Sequence, residues 1–188
     1  YWDALLGEYE KARYPILDRI YQTLPVCALL TPDEFLNRLL THAPPDLILH
    51  LGAEVDTTDM ASPAMIDRNF RFVRELVENI NSSHYAKKPP IVFASSAAVY
   101  GVSGYPNNPY GLTKALGERL LSTLHGKSTS LRFFNVFGEF EHHKGGMSSV
   151  PFKLAQAYRK GDRFDMHSPD AARDFVPVST VSKRVIEL

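Results

Sequence analysis

The chain has 188 residues, with 21 basic and 21 acidic side chains and a hydrophobic fraction of 44%. This length and composition are typical of one globular domain with a sizeable core, and the balanced charge argues against a nucleic-acid partner. No apolar run approaches the roughly 20 residues that span a bilayer, and no secretory signal is present, so we expect no membrane partner. The single Cys27 cannot form an intramolecular disulfide, which favours a cytoplasmic location.

The first half of the chain predicts a helix, a strand and a long helix. Thr31-Pro32-Asp33-Glu34 has the pattern of a capping box with Pro at the first helical position, which predicts a helix through about Thr41. The apolar run from Asp46 to Leu51 predicts a buried strand that ends at Gly52. The long helix is predicted to start at Ser62-Pro63, and its apolar stripe at 3–4 spacing consists of Ile66, Phe70, Val73, Val77 and Ile80.

The second half continues the alternation of strands and helices. The predicted elements are a strand from Ile91 to Ala94, a helix from Tyr110 to about Leu124, a strand from Ser130 to Phe134, a helix from Val150 to Lys160 that stops at Gly161, an extended segment from Asp174 to Val178, and a last short helix capped by Ser179. This order predicts an α/β fold, a doubly wound, Rossmann-like parallel sheet.

Small and polar residues follow each predicted strand. Gly52-Ala53 come after the first strand, Ser95-Ser96 after the second, and Asn135 after the third. Ligands of open α/β sheets bind outside the carboxyl ends of the strands. We therefore expect the functional site at this edge of the sheet.

The sequence contains no Gly-rich turn of the kind that binds a dinucleotide pyrophosphate, although such a turn follows the first strand of that fold. We therefore expect residues 1–188 to form a single, partial dinucleotide-binding domain that lacks its first βα unit and most of a C-terminal substrate lobe. Segments of that lobe are expected to begin at about 139–173. The chain is interpreted as the middle of a longer protein.

Ser96, Tyr110 and Lys114 form the sharpest chemical pattern in the chain. Tyr110 and Lys114 are four positions apart, which places them on one face of a helix. An ammonium beside a phenol lowers the pKa of the tyrosine from its usual value of about 10. Tyr110 is therefore predicted to exchange a proton with a substrate hydroxyl, and Ser96 is predicted to bind the same oxygen.

Five motifs resemble the extended short-chain dehydrogenase/reductases, the NAD-dependent epimerases and dehydratases. They are His50-Leu51-Gly52-Ala53, Asn69 within Asp67-Arg68-Asn69-Phe70, the Ser96, Tyr110 and Lys114 set, Arg132 to Gly138, and Arg173-Asp174-Phe175-Val176. The resemblance implies NADP, or NAD, as a tightly bound cofactor and a homo-oligomer. It implies cofactor binding by Leu51, Gly52, Ala53, Asn69, Tyr110, Lys114 and Val136.

The segment from Glu141 to Ser149, with His143-Lys144-Gly145 inside it, is similar to the signature of ADP-L-glycero-D-manno-heptose 6-epimerases within that family. The similarity implies an ADP-linked heptose as substrate, in lipopolysaccharide biosynthesis, with C6 inverted through a transient ketone. It implies that Ser96, Tyr110, Lys114 and Lys144 are catalytic, with Lys144 the second acid/base opposite Tyr110. It also implies substrate contacts by Ser96, Asn135, Gly146, Lys153 and Arg173. The adjacent His142 and His143 lack the spacing of metal ligands, and no metal site is predicted.

Two other functional interpretations stay open on the sequence. A 4-epimerase, dehydratase or reductase for another nucleotide sugar has the same fold, although no acidic pair precedes Tyr110 as a dehydratase requires. A catalytically inactive fragment that serves in an interaction is the third interpretation, because the Gly-rich turn is lacking. Ser96 and Tyr110 are 14 positions apart, where the family has a longer loop that contacts substrate.

Overall fold

Three parallel strands form the main sheet of the computed structural model. The model describes residues 30–58, 60, 63–101, 103–139, 141–166 and 172–188, and His142 and His143 by their backbone alone. Cys27 and Ser62, which enter the predictions above, lie outside these described residues. The chain divides into two compact units, Tyr1–Ala43 and Pro44–Leu188.

Helix α1 (Pro32–Thr41) belongs to the first unit and confirms the predicted capping box. The backbone N–H of Glu34 donates to the hydroxyl of Thr31 at 3.2 Å, and the backbone N–H of Thr31 donates to the Glu34 carboxylate at 2.7 Å. These reciprocal bonds satisfy two donors that a helix start leaves without an intrahelical partner.

The main sheet of the second unit has the strand order β1 (Ile48–His50), β2 (Ile91–Ser96) and β3 (Ser128–Phe133), all parallel. The predicted α/β fold with a parallel Rossmann-like sheet is confirmed. Strand β1 is shorter than predicted, whereas β2 extends two residues further and brings Ser96 into the sheet. The carboxyl ends of all three strands lie at one edge, where the sequence places its small and polar residues.

The long helix that follows β1 contains a wider, π-helical turn. It comprises α2 (Pro63–Ile66), the π-turn Asp67–Arg71 and α3 (Phe72–Ser82). Because a π-turn inserts an extra residue into the helical repeat, the buried face before it shifts by one position. Met65 and Asn69 are buried, and Ile66 is 53% exposed. The predicted stripe is therefore wrong at Ile66, although Val73, Val77 and Ile80 are buried as predicted.

Helix α4 (Pro109–Leu121) packs closely against the sheet. Its first turn is capped by Asn108, whose side-chain oxygen accepts the backbone N–H of Gly111 at 2.8 Å. A Cβ at Gly111 would lie 2.4 Å from the carbonyl oxygen of Ala98, and one at Gly117 would lie 2.8 Å from the ring of Phe93. Two glycines therefore let the helix backbone approach β2 and the turn after it.

The remainder of the second unit forms a two-stranded parallel sheet and two helices. Its elements are β4 (Val136–Phe137), the 3₁₀ segment Glu141–Met147, α5 (Val150–Lys160), β5 (Val176–Pro177) and α6 (Val178–Ile186). Gly161 ends α5 in the left-handed conformation, as predicted. The predicted cap at Ser179 is wrong, because α6 already begins at Val178, and Ser179 lies inside it.

The fully buried core lies around β2 and the helices beside it, and its largest members are Phe93, Met65, Leu76, Ile80, Ile91, Leu121 and Val73. Within the described part of the chain, no helix is both long enough and apolar enough to cross a membrane.

Candidate functional site

Ser96, Tyr110 and Lys114 come together at the end of β2. Ser96 is the last residue of that strand, and its hydroxyl accepts the backbone N–H of Ala98 at 3.1 Å. The Ser96 hydroxyl also interacts with the Tyr110 phenol and lowers the pKa of that tyrosine. The ammonium of Lys114 lies 5.8 Å from the centroid of the Tyr110 ring. The fold thus brings these three polar groups to the carboxyl end of β2.

A short, tight connection joins the end of β2 to the start of α4, so that Ser96 and Tyr110 are only 14 positions apart in the sequence. The chain leaves β2 through the 3₁₀ turn Ala97–Val99. Gly101 then adopts φ +50°, and a Cβ there would lie 1.6 Å from the carbonyl oxygen of Tyr105. Only glycine fits this close approach, so the turn returns the chain directly to the start of α4.

Lys114 is a buried ammonium, 3% exposed, whose Nζ donates to the carbonyl oxygen of Ala94 at 2.7 Å. The same nitrogen lies 4.8 Å from the centroid of the Phe93 ring. Burial disfavours the charged form and lowers the pKa of Lys114 to about 8. A group with this pKa changes its charge slightly above neutral pH.

The pKa of Tyr110 differs from the sequence-based expectation. Burial raises it above the usual value of 10.0, and the hydrogen bond with Ser96 lowers it by less. The prediction that Lys114 lowers the pKa of Tyr110 is therefore wrong for this structure, because desolvation of the phenolate outweighs the other effects. At neutral pH Tyr110 is a protonated phenol that can donate to a carbonyl oxygen.

His50 is a second titratable group beside this cluster. Its ring packs edge-on against Phe72 and Phe93, with centroid distances of 5.2 and 5.4 Å. Burial, followed by the charge of Lys114, lowers the pKa of His50 to about 4. Among the described residues its buried Nε2 atom has no hydrogen-bond partner. The imidazole is neutral at physiological pH and acts mainly through aromatic packing.

Asn69 clamps the loop that carries Leu51, Gly52 and Ala53. Its side-chain oxygen accepts the backbone N–H of Glu54 at 2.8 Å, and its amide nitrogen donates to the carbonyl oxygen of Glu54 at 2.8 Å. The amide nitrogen also lies 3.3 Å from the hydroxyl of Thr113, on the helix that bears Tyr110. Asn69 thereby fixes the strand-end loop against α4, while Gly52 leaves the space beside it open.

Lys144, Asn135 and Val136 form a second group around a cavity of about 280 Å³. Lys144 is 41% exposed at its side chain and lies 3.9 Å from the Glu141 carboxylate. Asn135 has φ +28°, and its side-chain nitrogen donates to the carbonyl oxygen of Asp174 at 3.0 Å. The cavity wall is thus polar, and it brings a cationic group to a concave surface.

Glu141 organises the loop that carries Lys144. Its carboxylate accepts the backbone N–H of Gly138 at 2.9 Å, and the backbone N–H and hydroxyl of Ser149 at 2.7 and 2.8 Å. Burial alone would raise the pKa of Glu141, but these bonds and Lys144 together lower it. A buried, ionised carboxylate therefore joins the end of β4 to the start of α5.

Of the remaining predicted substrate residues, Gly146 and Arg173 are exposed and Lys153 is half-buried. The ammonium of Lys153 donates to the carbonyl oxygen of Gly146 at 2.5 Å, which closes the loop that follows Lys144. Arg173 lies in the extended segment before β5. These three residues are accessible to a ligand.

Sequence reasoning missed Glu118 and Glu141. The carboxylate of Glu118 contacts Ser95 and Arg132. Glu118 follows Lys114 by four positions, and Glu141 precedes Lys144 by three. Both spacings place a carboxylate on the same helical face as a predicted site residue. These spacings could have indicated Glu118 and Glu141 from the sequence.

The residues at the edge of the main sheet fit a nicotinamide cofactor. Within the described residues, the Lys114 ammonium makes one hydrogen bond with its three donors, so it can donate to ribose hydroxyls. A Cβ at Gly52 would meet nothing within 4 Å, so a planar ring can approach the backbone there.

A protein-family model described as "NAD dependent epimerase/dehydratase family" matches residues 10–185. Among solved structures, the ADP-L-glycero-D-manno-heptose-6-epimerase of Helicobacter pylori is 27% identical with a TM-score of 0.68, over 81% of this chain and 51% of that one.

Two UDP-sugar enzymes are similar in fold. The UDP-N-acetylglucosamine 4-epimerase of Methanobrevibacter ruminantium is 23% identical, with a TM-score of 0.67 over 81% of this chain and 53% of that one. The UDP-glucose 4-epimerase of Thermotoga maritima is 21% identical, with a TM-score of 0.67 over 80% and 54%. The chain thus spans about half the length of the solved structures that it matches.

Proposed function

The chain belongs to the NAD dependent epimerase/dehydratase family, and from this premise we propose that it inverts C6 of an ADP-linked glycero-manno-heptose through a transient ketone. The observation that carries the proposal is Lys144, held by Glu141 at the wall of a polar cavity. The 27% identity to the heptose epimerase of Helicobacter pylori supports this choice of substrate.

Ser96 and Tyr110 are the proposed partners of the reacting oxygen. In one direction of the reaction the deprotonated form of Tyr110 accepts the proton of the C6 hydroxyl in the oxidative half-reaction, and Lys144 donates a proton to the carbonyl oxygen in the reductive half-reaction; in the opposite direction the two residues exchange these roles. Ser96 donates a hydrogen bond to the same oxygen and lowers the pKa of Tyr110 through its own contact. Lys114 supplies positive charge close to the phenolate that forms.

A bound nicotinamide cofactor supplies a reversible hydride acceptor, so that no net redox change occurs. We propose that it is NADP, or NAD, and that Leu51, Gly52, Ala53, Asn69, Tyr110, Lys114 and Val136 form its site. Asn69 acts here through the loop backbone, because its side chain bonds Glu54.

Lys144 is the proposed second acid/base. Inversion requires that the flat ketone present both of its faces in turn, so its oxygen occupies two positions. Tyr110 serves one position and Lys144 the other. Asn135, Gly146, Lys153 and Arg173 are proposed to bind the nucleotide-sugar around the cavity, with the two cations near its phosphates.

A UDP-sugar 4-epimerase is the second candidate. Two such enzymes match this fold with TM-scores of 0.67, nearly the value of the heptose epimerase. Their identities of 23% and 21% support the fold and leave the substrate open.

The test incubates the full-length protein with ADP-D-glycero-D-manno-heptose, UDP-glucose and UDP-N-acetylglucosamine, and follows each by proton NMR. We expect inversion at C6 of the ADP-heptose and none in the UDP-sugars. Inversion at C4 of a UDP-sugar alone would favour the second candidate. Absence of any inversion by a protein that binds nicotinamide cofactor would favour a non-catalytic role. A homo-oligomer, a cytoplasmic location and a role in lipopolysaccharide biosynthesis are parts of the proposal.

A further inference from the structure

Glu118 lies on the same face of α4 as the proposed catalytic pair. Tyr110, Lys114 and Glu118 are separated by four positions each, so that they form a row along the helix. The hydroxyl of Ser95 donates to the Glu118 carboxylate at 2.5 Å. Ser95 is 2% exposed and directly precedes Ser96 in β2. One end of the row therefore joins α4 to the strand that presents Ser96.

Arg132 holds the same carboxylate from the third strand. Its Nε donates to Glu118 Oε1 at 2.9 Å, and its NH2 group donates to Oε2 at 2.7 Å. This paired contact lowers the pKa of Glu118 most, and the bond from Ser95 lowers it further. Together they outweigh burial, which would raise that pKa. The carboxylate is thus ionised and held in a two-pronged geometry that resists rotation. It connects α4 to β2 and to β3 at one point.

The close packing around this point leaves little room for sliding. Gly117, next to Glu118, faces the ring of Phe93, and Gly111, next to Tyr110, faces the carbonyl of Ala98. A shift of α4 along β2 would bring the helix against the ring of Phe93 and the carbonyl of Ala98. The bonds of Glu118 hold α4 in the register that this packing favours.

We propose that Glu118 is a positioning residue that sets the register of α4 on β2 and thereby the relative placement of Ser96, at the end of β2, and Tyr110, at the start of α4. This inference deepens the proposed function and rests on it for its catalytic meaning. Glu118 does not touch the reacting atoms and acts through Ser95, one residue from Ser96. Loss of the Ser95 contact allows Ser96 and Tyr110 to separate.

The test replaces tyrosine with 3-fluorotyrosine in the full-length protein and follows the Tyr110 signal by fluorine NMR during a pH titration. Fluorination makes the phenol more acidic, which brings the titration into a range where the fold persists. The signal is assigned by its loss in Tyr110→Phe. Ser95→Ala removes one contact and keeps the ion pair with Arg132, and Glu118→Gln removes the charge. Ser122→Ala is the matched control, since its hydroxyl bonds the carbonyl oxygen of Arg119 on the same helix.

We expect Ser95→Ala to raise the pKa of Tyr110 by at least about 0.5, which corresponds to the net contribution of one hydrogen bond. Ser122→Ala should leave that pKa unchanged. If Tyr110 titrates at the parental pH in both Ser95→Ala and Glu118→Gln, the positioning role is wrong and Glu118 is purely structural.

The titration needs no substrate, so its outcome is independent of whether ADP-heptose is turned over. Where the parent inverts ADP-heptose, Ser95→Ala should lower kcat by about 10- to 100-fold, because small misplacements of catalytic groups have effects of this size. The KM should stay within about twofold, since Ser95 itself does not contact the substrate in the proposal, and Asn135, Lys153 and Arg173 are unchanged. A change in KM at constant kcat would contradict the positioning role.

Discussion

The ammonium of Lys114 donates to the carbonyl oxygen of Ala94 at 2.7 Å and lies 5.8 Å from the centroid of the Tyr110 ring. The lysine is thus fixed by the strand that ends at Ser96, on the side of α4 that carries Tyr110. Burial dominates both groups, because it lowers the pKa of Lys114 and raises that of Tyr110.

Ser96→Ala should shift the pH dependence of turnover. The hydrogen bond with Ser96 lowers the pKa of Tyr110, so its loss raises that pKa and moves the rising limb of kcat to higher pH. We also expect kcat near neutral pH to fall by about 10²-fold, as for the loss of one donor to a reacting oxygen. The measurement is kcat against pH, with the exposed Ser82→Ala as control. If the rising limb of kcat lies at the same pH in Ser96→Ala and in the parent, Ser96 does not lower the pKa of Tyr110.

Lys114→Met should change stability in a pH-dependent way. The pKa of Lys114 falls from 10.5 to about 8 on folding, so the unfolded chain binds more protons between these values. The free energy of unfolding of the parent therefore carries a penalty below pH 8, which is relieved as the pH rises to 10.5. The stability of the variant relative to the parent should decrease by about 3 kcal/mol over that range.

Urea unfolding of the parent and of Lys114→Met at pH 7.5 and at pH 10.5 measures this difference, and the exposed Lys127→Met serves as control. A stability difference that is the same at both pH values would show that Lys114 ionises normally in the folded protein.

Asn69→Ala should destabilise the protein by about 1–2 kcal/mol, since it leaves the half-buried N–H and carbonyl of Glu54 without their partner. The exposed Asn37→Ala, in the middle of α1, should be neutral or slightly stabilising because Ala is the better helix former. Thermal unfolding of both variants is the measurement. Equal midpoints for Asn69→Ala and the parent would exclude the clamp.

Lys144→Met should abolish inversion while binding of the nicotinamide cofactor persists. A general acid/base contributes 10²–10⁴-fold to the rate, and Lys144 is the only proposed group for the second position of the ketone oxygen. The matched control is Lys160→Met, at the exposed end of α5. Epimerisation by Lys144→Met within tenfold of the parent would remove this lysine from the mechanism.

Local signals in the sequence predicted much of the fold. The capping box at Thr31, the Gly161 stop and the alternation of strands and helices depend on neighbouring residues, and the structure confirms each. Ile66 was misplaced because a periodicity argument assumes a uniform helix, whereas the π-turn at Asp67–Arg71 alters the repeat.

The shared helix face of Tyr110 and Lys114 was predictable from the sequence, whereas the pKa values of the two residues were not. The spacing of Tyr110 and Lys114 indicated their shared face, but the sequence carries no measure of burial, which sets the direction of both pKa shifts. The contacts of Glu118 with Ser95 and Arg132 join α4 to β2 and β3. They could not be predicted from the sequence, because they depend on the register in which β2 and β3 pair, where Ser95 lies opposite Arg132.

The most direct test of the proposed chemistry uses the full-length protein with its bound nicotinamide cofactor and ADP-D-glycero-D-manno-heptose that carries deuterium at C6. Inversion by hydride removal and return predicts an epimer that retains the deuterium at C6, with none gained from solvent when protonated substrate reacts in D₂O. Loss of the C6 deuterium to solvent during inversion, or no inversion by the cofactor-bound protein, would contradict the account.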